Sequence, residues 1–279
     1  MKHDDKTSPP RRLPPWLKRR VAAGSKVDEV SDLLAELSLA TVCDGAHCPN
    51  RSECYARGVA TFMILGDQCT RNCRFCAVPP GRPSLPPLAE PQAVAEACAR
   101  LGLHHVVITS VTRDDLDDGG AEHFARTIRA VRRRLDKVVI EVLTPDFQGR
   151  CDAIDTVLSA RPDVFNHNVE TVERLYPAVR PQGDYRRSLD VLNCARRRAA
   201  DLEIKLATKS GLMVGLGETA DEVRQVMRDL RRVGCDILTI GQYLAPSSAH
   251  LPVARFVEPA EFDTWRSEGE AMGFSAVAA

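Results

Sequence analysis

Short apolar runs alternate with amphipathic segments along most of the chain. The runs predict six strands, over residues 61–65, 105–110, 138–143, 163–169, 207–214 and 237–244. Segments with helical spacing lie between them, near residues 91–101, 119–135, 151–160, 185–200 and 218–234. Strands that are apolar on both faces are typical of a parallel sheet covered by helices. Six strand–helix units in series therefore predict an α/β fold with a parallel sheet and right-handed crossovers.

The number of units limits the architecture. Six strands are two fewer than a closed eight-stranded barrel requires, so a partly open barrel and a doubly wound sheet both fit. In either fold the active site forms at the C-terminal ends of the strands. We expect the polar residues at these ends to converge on a site; they include Thr109, Ser110, Glu141, Asn168, Glu170 and Lys209.

The N-terminal part of the chain has a different pattern. Residues 1–24 are polar and rich in proline, and they predict an extended arm. Apolar residues then recur at helical spacing from Val27 to Leu37, with Asp28 as a candidate cap near the helix start. The helix leads into a segment rich in turn-forming residues, which predicts a loop.

The bulk composition excludes several classes of function. The chain of 279 residues is 44% hydrophobic and 27% charged, as expected for a globular protein, and its net charge is zero. We therefore expect no nucleic-acid partner. We also expect no membrane partner, because the longest apolar run is only strand-sized and the N-terminus lacks the apolar core of a signal peptide.

Six of the ten cysteines fall within 34 residues. They form two triplets, Cys43-X4-Cys48-X5-Cys54 and Cys69-X3-Cys73-X2-Cys76. Each triplet supplies three thiolates, one fewer than an ordinary iron–sulfur cubane uses. A cluster held by three cysteines leaves one iron open to a ligand, so this spacing favours catalysis over electron storage.

Two other uses of the cysteines are less favoured. The chain is too long to need disulfides for its stability. Zinc sites usually pair C-X2-C units with a fourth Cys or His, and His47 is the one histidine inside either triplet. The remaining cysteines are predicted to be small buried hydrophobes; they are Cys98, Cys151, Cys194 and Cys235. Thiols that bind metal need a reducing compartment, which favours the cytoplasm.

The second triplet follows the first predicted strand and has Phe75 just before its last cysteine. This arrangement resembles the signature of the radical S-adenosylmethionine superfamily. Several strand-end segments are similar to the lipoyl synthase family, among them Thr109-Ser-Val-Thr-Arg-Asp-Asp-Leu116, Glu141-Val-Leu-Thr-Pro-Asp-Phe147, Asn166-His-Asn-Val-Glu-Thr171 and Lys209-Ser-Gly-Leu-Met-Val-Gly-Leu-Gly-Glu218. The resemblance runs from about Thr41 to about Phe274, and the first triplet is its most specific mark.

The resemblance implies a partial, open (β/α)6 barrel over residues 59–279, preceded by an extension over residues 1–58 that carries an auxiliary cluster loop. It implies S-adenosyl-L-methionine and two [4Fe–4S] clusters as cofactors. Cys69, Cys73 and Cys76 would hold the cluster that generates the radical, and Cys43, Cys48 and Cys54 the auxiliary cluster that supplies sulfur. Phe75 would contact adenine, and the strand ends would hold the rest of the cofactor, through Thr109, Ser110, Asn168 and Glu170.

The implied reaction inserts two sulfur atoms, at C6 and C8, into an octanoyl chain on a lysine of a lipoyl-carrier domain. The carriers would be E2 subunits of 2-oxoacid dehydrogenases and the H protein of glycine cleavage. The electron donor would be a protein such as flavodoxin or ferredoxin. Two alternatives remain: another radical enzyme with an auxiliary cluster, and an inactive, truncated protein that binds lipoyl carriers.

The C-terminus departs from the family pattern. Members of the family continue past the equivalent of Gly273-Phe274 into an Arg-Ser-Ser-Tyr segment, whose serine ligates the auxiliary cluster. The given sequence ends at Ala279, and Ser247 and Ser248 belong to a different motif. The family's tail is therefore missing from the given sequence, and three interpretations remain: the sequence is truncated, the auxiliary cluster has another fourth ligand, or sulfur insertion is impaired. Such a chain would hold this cluster less stably than one with the tail.

Overall fold

The computed structural model describes residues 13–18, 25–42, 51–56 and 59–279. One sheet of eight strands forms the centre of the molecule. The strands are β1 (Ala40–Thr41), β2 (Val59–Ile64), β3 (His105–Ser110), β4 (Val139–Leu143), β5 (Val164–Asn166), β6 (Ala207–Val214), β7 (Ile237–Gln242) and β8 (Ala276–Ala278).

The strands pair in the order in which they occur in the chain. β1 is antiparallel to β2, with Ala40 opposite Met63, and β2 to β8 are all parallel. Among the described residues β8 pairs only with β7, so the sheet does not close. The predicted partial, open barrel is therefore confirmed, with one parallel strand more than the six that were predicted.

Two helices precede the parallel strands, and the other helices connect them. They are α1 (Ser25–Glu36), α2 (Arg51–Ala56), α3 (Glu90–Arg100), α4 (Ala121–Arg134), α5 (Cys151–Ser159), α6 (Tyr176–Val179), α7 (Tyr185–Asp201), α8 (Ala220–Arg232) and α9 (Pro259–Ala271). Successive residues of a strand point to opposite faces. Phe62, Ile108 and Val142 are completely buried in the apolar core. Met63, Thr109 and Leu143 alternate with them and line the barrel interior.

The predicted strands and helices agree with the structure to within a few residues at their ends. The elements that were not predicted are β1, β8, α2, α6 and α9, and α2 lies in the segment that was predicted to be a loop. β1 and β8 have two and three residues, too few for a periodic pattern to be recognised. α9 begins with Pro259 after a capping box between Glu258 and Glu261.

The single cysteines divide into two pairs. Cys98 and Cys235 are completely buried, as predicted. The prediction is wrong for Cys151, which is exposed at the first position of α5 and forms a disulfide with Cys194 of α7. The two Cα atoms are 6.2 Å apart, because α5 and α7 pack side by side on the outside of the barrel.

Within the described ranges, no helix combines the length and the apolar character needed to cross a lipid bilayer.

Candidate active site

The second cysteine triplet lies in the segment of residues 66–81, which we call the thiol loop, at the C-terminal end of β2. Leu65 and Gly66 begin it in left-handed conformations, with φ of +71° and +103°. For a residue such as Leu65 this conformation costs about 1–2 kcal/mol. Two buried contacts hold it: the Leu65 N–H donates to Glu90 Oε2 at 3.0 Å, and Arg113 Nη1 donates to the Leu65 carbonyl at 3.0 Å.

Backbone hydrogen bonds fix the thiol loop internally and join it to the segment after β3. The Cys69 N–H donates to the Pro79 carbonyl at 3.0 Å, and the Gly81 N–H donates to the Cys69 carbonyl at 2.8 Å. The Thr70 N–H donates to the Thr112 carbonyl at 3.1 Å, beyond β3. The loop is therefore held by the strand-end segments that surround the barrel opening.

A cavity of about 510 Å³ lies between the thiol loop and the strand ends. Every residue that the sequence analysis assigned to the radical cluster or to S-adenosylmethionine lines it. These residues are Cys69, Cys73, Phe75, Cys76, Thr109, Ser110, Asn168 and Glu170. Three thiols, an aromatic ring and several polar side chains thus share one cavity.

Burial makes two of the three thiols less acidic. It raises the pKa of Cys73, and it raises the pKa of Cys76 to about 11. Without a metal both groups are therefore protonated near neutral pH. Because the thiolate is the form that binds metal, loading such a site releases protons.

Cys69 differs from the other two cysteines in its surroundings. Its Sγ accepts hydrogen bonds from the backbone N–H of Arg71, at 3.4 Å, and from that of Thr112, at 3.3 Å. Hydrogen bonds to sulfur help set the reduction potential of an iron–sulfur cluster. The position of Cys69 thus gives the chain a means of adjusting such a cluster.

Arg71 ties the middle of the thiol loop to two strand ends. Its guanidinium donates to both carboxylate oxygens of Asp114, at 2.7 and 2.9 Å, and to both of Asp146, at 2.9 and 2.7 Å. Asp146 is completely buried and is also contacted by Arg187 at 3.3 Å. Burial alone would raise the pKa of Asp146, but the hydrogen bonds and charge of Arg71 outweigh burial and hold that pKa well below its usual range.

A second polar group lines the cavity around Arg180. Arg180 is buried, packs over the Tyr176 ring at 5.6 Å and donates from Nη1 to the Asn168 carbonyl at 3.1 Å. Glu170 has a φ of +67°, and burial raises its pKa, although the charge of Arg180 and a hydrogen bond with Asn168 oppose this. Gly211 makes room for the Asn168 amide, because a Cβ there would lie 2.6 Å from Asn168 Oδ1.

Several buried polar atoms of the lining have no partner among the described residues. They are Ser110 Oγ, His167 Nε2 and Arg180 Nε. The His167 Nδ1–H donates to the Thr144 carbonyl at 2.9 Å, and burial lowers the pKa of His167 to about 4. This imidazole is therefore neutral, with a lone pair on Nε2. Buried polar groups are rarely left unsatisfied, so these three atoms are suited to a polar ligand.

Some expected site residues lie elsewhere. Glu141 and Lys209 do not converge at the strand ends, because both lie lower, within β4 and β6, and form an ion pair with each other. Cys54 is in α2, whereas Cys43 and Cys48 lie outside the described residues. Across the described ranges, no three His, Cys, Asp or Glu side chains are close enough to hold a single metal ion.

The sequence analysis did not identify Arg71 or Arg180. Arg71 stands between two cysteines, and this position was the available clue. Arg180 follows the short helix α6 rather than a strand. It reaches the cavity only because the chain folds back after β5, which no local pattern predicts.

Family models match most of the chain. The model of the radical SAM superfamily matches residues 63–230. A model of the N-terminal domain of lipoyl synthase, from the same superfamily, matches residues 2–48. The open α/β barrel and its thiol loop therefore belong to a radical S-adenosylmethionine protein.

Curated relatives identify one family within this superfamily. A lipoyl synthase from Rubrobacter xylanophilus is 57% identical over 264 residues, which cover 95% of this chain and 81% of the relative. A lipoyl synthase from Methylococcus capsulatus is 54% identical over 270 residues, which cover 96% of this chain and 83% of the relative. The chain belongs to the lipoyl synthase family. It is an enzyme that inserts sulfur, and its cofactors are S-adenosyl-L-methionine and [4Fe–4S] clusters.

Solved structures with low sequence identity share the fold. Methylornithine synthase has a TM-score of 0.57 and 14% identity, over 91% of this chain and 78% of that one. The FeFe-hydrogenase maturase HydG from Carboxydothermus hydrogenoformans has a TM-score of 0.56 and 14% identity, over 90% of this chain and 70% of that one. At this identity the likeness concerns the fold alone.

Proposed function

We propose that this enzyme inserts sulfur at C6 and C8 of an octanoyl chain that is amide-linked to a lysine of a lipoyl-carrier domain. The observation that carries the proposal is the shared cavity. Three thiols of one loop and three unpartnered polar atoms face the same space of about 510 Å³. Membership of the lipoyl synthase family then assigns the reaction, and octanoylated carriers are the substrates that this activity requires.

The thiol donors fit an iron–sulfur cluster. Cys69, Cys73 and Cys76 lie in one loop and line one cavity, and three thiolates leave an iron open. When bound, the cluster supplies the electron that cleaves S-adenosylmethionine and so generates the radical that abstracts hydrogen from the substrate. The thiol loop holds the cluster at the strand ends, and its apolar neighbours exclude water from the reacting carbon.

The polar group around Arg180 fits the S-adenosylmethionine molecule. Arg71 is fully engaged by two carboxylates, so Arg180 is the buried cation of the lining that can receive a negative group. We assign Arg180 to the methionine carboxylate, and Ser110, Asn168 and Glu170 to the polar groups of the cofactor. The Thr109 hydroxyl donates to the Leu143 carbonyl at 2.9 Å, so Thr109 contacts the cofactor as an acceptor. Phe75 contacts the adenine ring.

Arg180→Met is expected to raise the KM for S-adenosylmethionine by about 10- to 150-fold, the equivalent of a lost hydrogen bond to a charged group of about 1.5–3 kcal/mol. Arg180→Lys should recover part of the loss, because it restores the charge. The measurement is the rate of 5′-deoxyadenosine formation against cofactor concentration. Arg174→Met is the matched control, because Arg174 is exposed and pairs with Glu222. An unchanged KM in Arg180→Met would remove Arg180 from the site.

The first triplet is assigned to the auxiliary cluster. Cys43, Cys48 and Cys54 would hold the sulfur that the reaction consumes. The family model that matches residues 2–48 supports this assignment, because it covers two of the three cysteines. The two triplets lie in separate segments of the chain, so the two clusters should be independent.

Cys54→Ala is expected to retain 5′-deoxyadenosine formation and to lose the thiolated product completely, because the sulfur source is removed while the thiol loop is untouched. Mass spectrometry of an octanoyl-lysyl peptide measures the product. Cys235→Ala serves as the control, since this buried cysteine lies far along the chain from both triplets. Thiolation by Cys54→Ala at the wild-type yield would show that sulfur comes from another source.

The experiment that tests the function is anaerobic reconstitution followed by an assay on the octanoyl-lysyl peptide. About eight irons per chain and a product with two added sulfur atoms support the proposal. Cleavage of S-adenosylmethionine without thiolation would favour the alternative of another radical enzyme with an auxiliary cluster. A protein that only binds carriers would have no use for three thiols in one cavity.

We further assign the E2 subunits of 2-oxoacid dehydrogenases and the glycine-cleavage H protein as carriers, and flavodoxin or ferredoxin as the electron donor. The compartment that suits this chemistry is the cytoplasm, where thiols remain reduced. An assay with each octanoylated carrier and each reduced donor tests these assignments one at a time.

A further inference from the structure

The interior of the barrel is organised in rows of residues in register. Met63, Thr109 and Leu143 are partners on β2, β3 and β4. The same row continues through Asn166 on β5 to Lys209 on β6. Glu141 precedes Leu143 by two residues, so it points to the same face about 6.6 Å lower in the barrel. These side chains therefore lie on the interior face of the barrel.

On β2, β3 and β4 the cavity ends at this row, whereas on β6 it ends at Met213, four residues after Lys209. Its lining includes Met63, Leu143 and, on β6, Met213. Glu141, Asn166 and Lys209 do not belong to the lining and lie beneath it; together we call them the polar floor. The lower part of the cavity is therefore walled by apolar side chains and closed below by polar ones.

Glu141 is the centre of the hydrogen bonds in the polar floor. Lys209 Nζ donates to Glu141 Oε1 at 2.8 Å, and Asn166 Nδ2 donates to the same oxygen at 2.8 Å. His105 Nε2 approaches Glu141 Oε2 from below at 3.4 Å. The Glu141 side chain is 4% exposed and that of Lys209 is 25% exposed. Burial alone would raise the pKa of Glu141, but its hydrogen-bonding partners and the Lys209 charge outweigh burial and lower that pKa to about 2.

An acyl chain that entered this cavity with its methyl end first would meet the polar floor with its terminal methyl group. The three apolar side chains above the floor favour methylene groups. The floor does not, because a longer chain would have to separate a buried ion pair and leave its charges without partners. In the proposed reaction C8, one of the two reacting carbons, is the terminal carbon of an octanoyl chain. A fixed lower limit therefore also fixes the position of C8.

We propose that the Glu141–Lys209 pair is the chain-length stop of the acyl site, which admits eight carbons and excludes longer chains. This inference rests on the proposed function, since that function supplies the acyl substrate. It assigns to the pair a role in specificity, separate from the binding of either cofactor.

The test compares octanoyl-lysyl and decanoyl-lysyl peptides on the reconstituted holoenzyme, with Kd and thiolated product as the two readouts. In Glu141→Ala/Lys209→Ala the preference for octanoyl should fall at least about 10-fold, since methylene discrimination in a pocket spans about 10- to 200-fold. Both residues are replaced together because a single replacement leaves a buried charge unpaired. For each variant, the ratio of the octanoyl value to the decanoyl value of a readout does not change when activity falls equally on both peptides.

A second variant covers the case in which the alanine pair does not fold. Glu141→Leu/Lys209→Met removes the charges and keeps the volume, and a fall of the preference by about 10-fold is again expected. The control is Arg198→Met/Asp155→Leu, which removes an ion pair of 2.6 Å between α7 and α5 on the outer surface. Its octanoyl preference should equal that of the wild type.

Two results would overturn the proposal of a chain-length stop. One is an unchanged preference for the octanoyl peptide in the variants of the polar floor, and the other is an equal fall of that preference in the surface control. Failure of the proposed function gives a different result. If the wild type binds the octanoyl peptide but forms no thiolated product, the reaction is wrong, while the Kd ratio still decides the stop. If the wild type binds neither peptide, both proposals are wrong.

Discussion

Replacing any one of Cys69, Cys73 or Cys76 with alanine is expected to abolish 5′-deoxyadenosine formation. Each thiol lines the cavity, and a cluster that already uses only three protein ligands has none to spare. The loss should exceed the roughly 100-fold that changes in outer-shell residues cause. Iron and sulfide analysis should show at the same time that the cluster is lost.

Cys98→Ala is the matched control for these variants. Cys98 is completely buried on α3 and does not line the cavity, so its replacement should leave iron content and cofactor cleavage unchanged. Normal cleavage of S-adenosylmethionine by all three thiol-loop variants would contradict the assignment of the second triplet.

Arg71→Met is expected to destabilise the protein by about 3–5 kcal/mol, because it leaves the buried Asp146 without its main partner. It should also loosen the thiol loop, so that the assembled cluster loses iron to a chelator about 10- to 100-fold faster. Denaturant unfolding of the apoprotein measures the first effect, and the release of iron from the holoenzyme measures the second.

The pH dependence of the unfolding free energy distinguishes the loss of the Arg71 charge from the loss of its packing. Because the folded pKa of Asp146 is depressed, the carboxylate contributes stability above its unfolded pKa and loses it as the pH falls toward the folded value. In Arg71→Met burial raises the pKa of Asp146. The difference in unfolding free energy between wild type and variant should therefore be largest at neutral pH and smaller near pH 4.

The double variant Arg71→Met/Asp146→Asn identifies Arg71 as a positioning residue. It removes the unpaired charge, so stability should recover, but the link between the thiol loop and β4 stays broken. Fast loss of iron should therefore persist. Slow, wild-type release of iron from this double variant would mean that Arg71 acts on stability alone.

The sequence was most informative where a local pattern carries the structure. Apolar runs located six strands, and the spacing of Cys69, Cys73 and Cys76 after the first of them located the thiol loop. The roles of these residues stay predictions. Glu141 and Lys209 show what a local pattern cannot predict. They were expected at strand ends, but they form an ion pair inside the barrel. Their meeting depends on strand register, which cannot be obtained from one strand at a time.

Contacts between distant segments were not predictable for the same reason. Arg71 contacts Asp146, 75 residues later, and Cys151 contacts Cys194, 43 residues later. Both contacts arise because consecutive strand–helix units pack side by side. A pattern read along the chain reports which face of an element is apolar, but it does not report which neighbour that face meets.

The pairing of strands in chain order has a consequence for biogenesis. Both carboxylate partners of Arg71, Asp114 and Asp146, belong to the two units that follow the thiol loop, whereas Arg180 comes later. A chain emerges from the ribosome with its N-terminus first, and its parts begin to fold in that order. The thiol loop also bonds to later segments, because the Arg74 N–H donates to the Val179 carbonyl at 2.9 Å and the Leu251 N–H donates to the Arg74 carbonyl at 3.2 Å. We therefore expect the loop to be fully anchored only after β7 has been made, so that iron and sulfide are delivered to the completed barrel and not to a nascent chain.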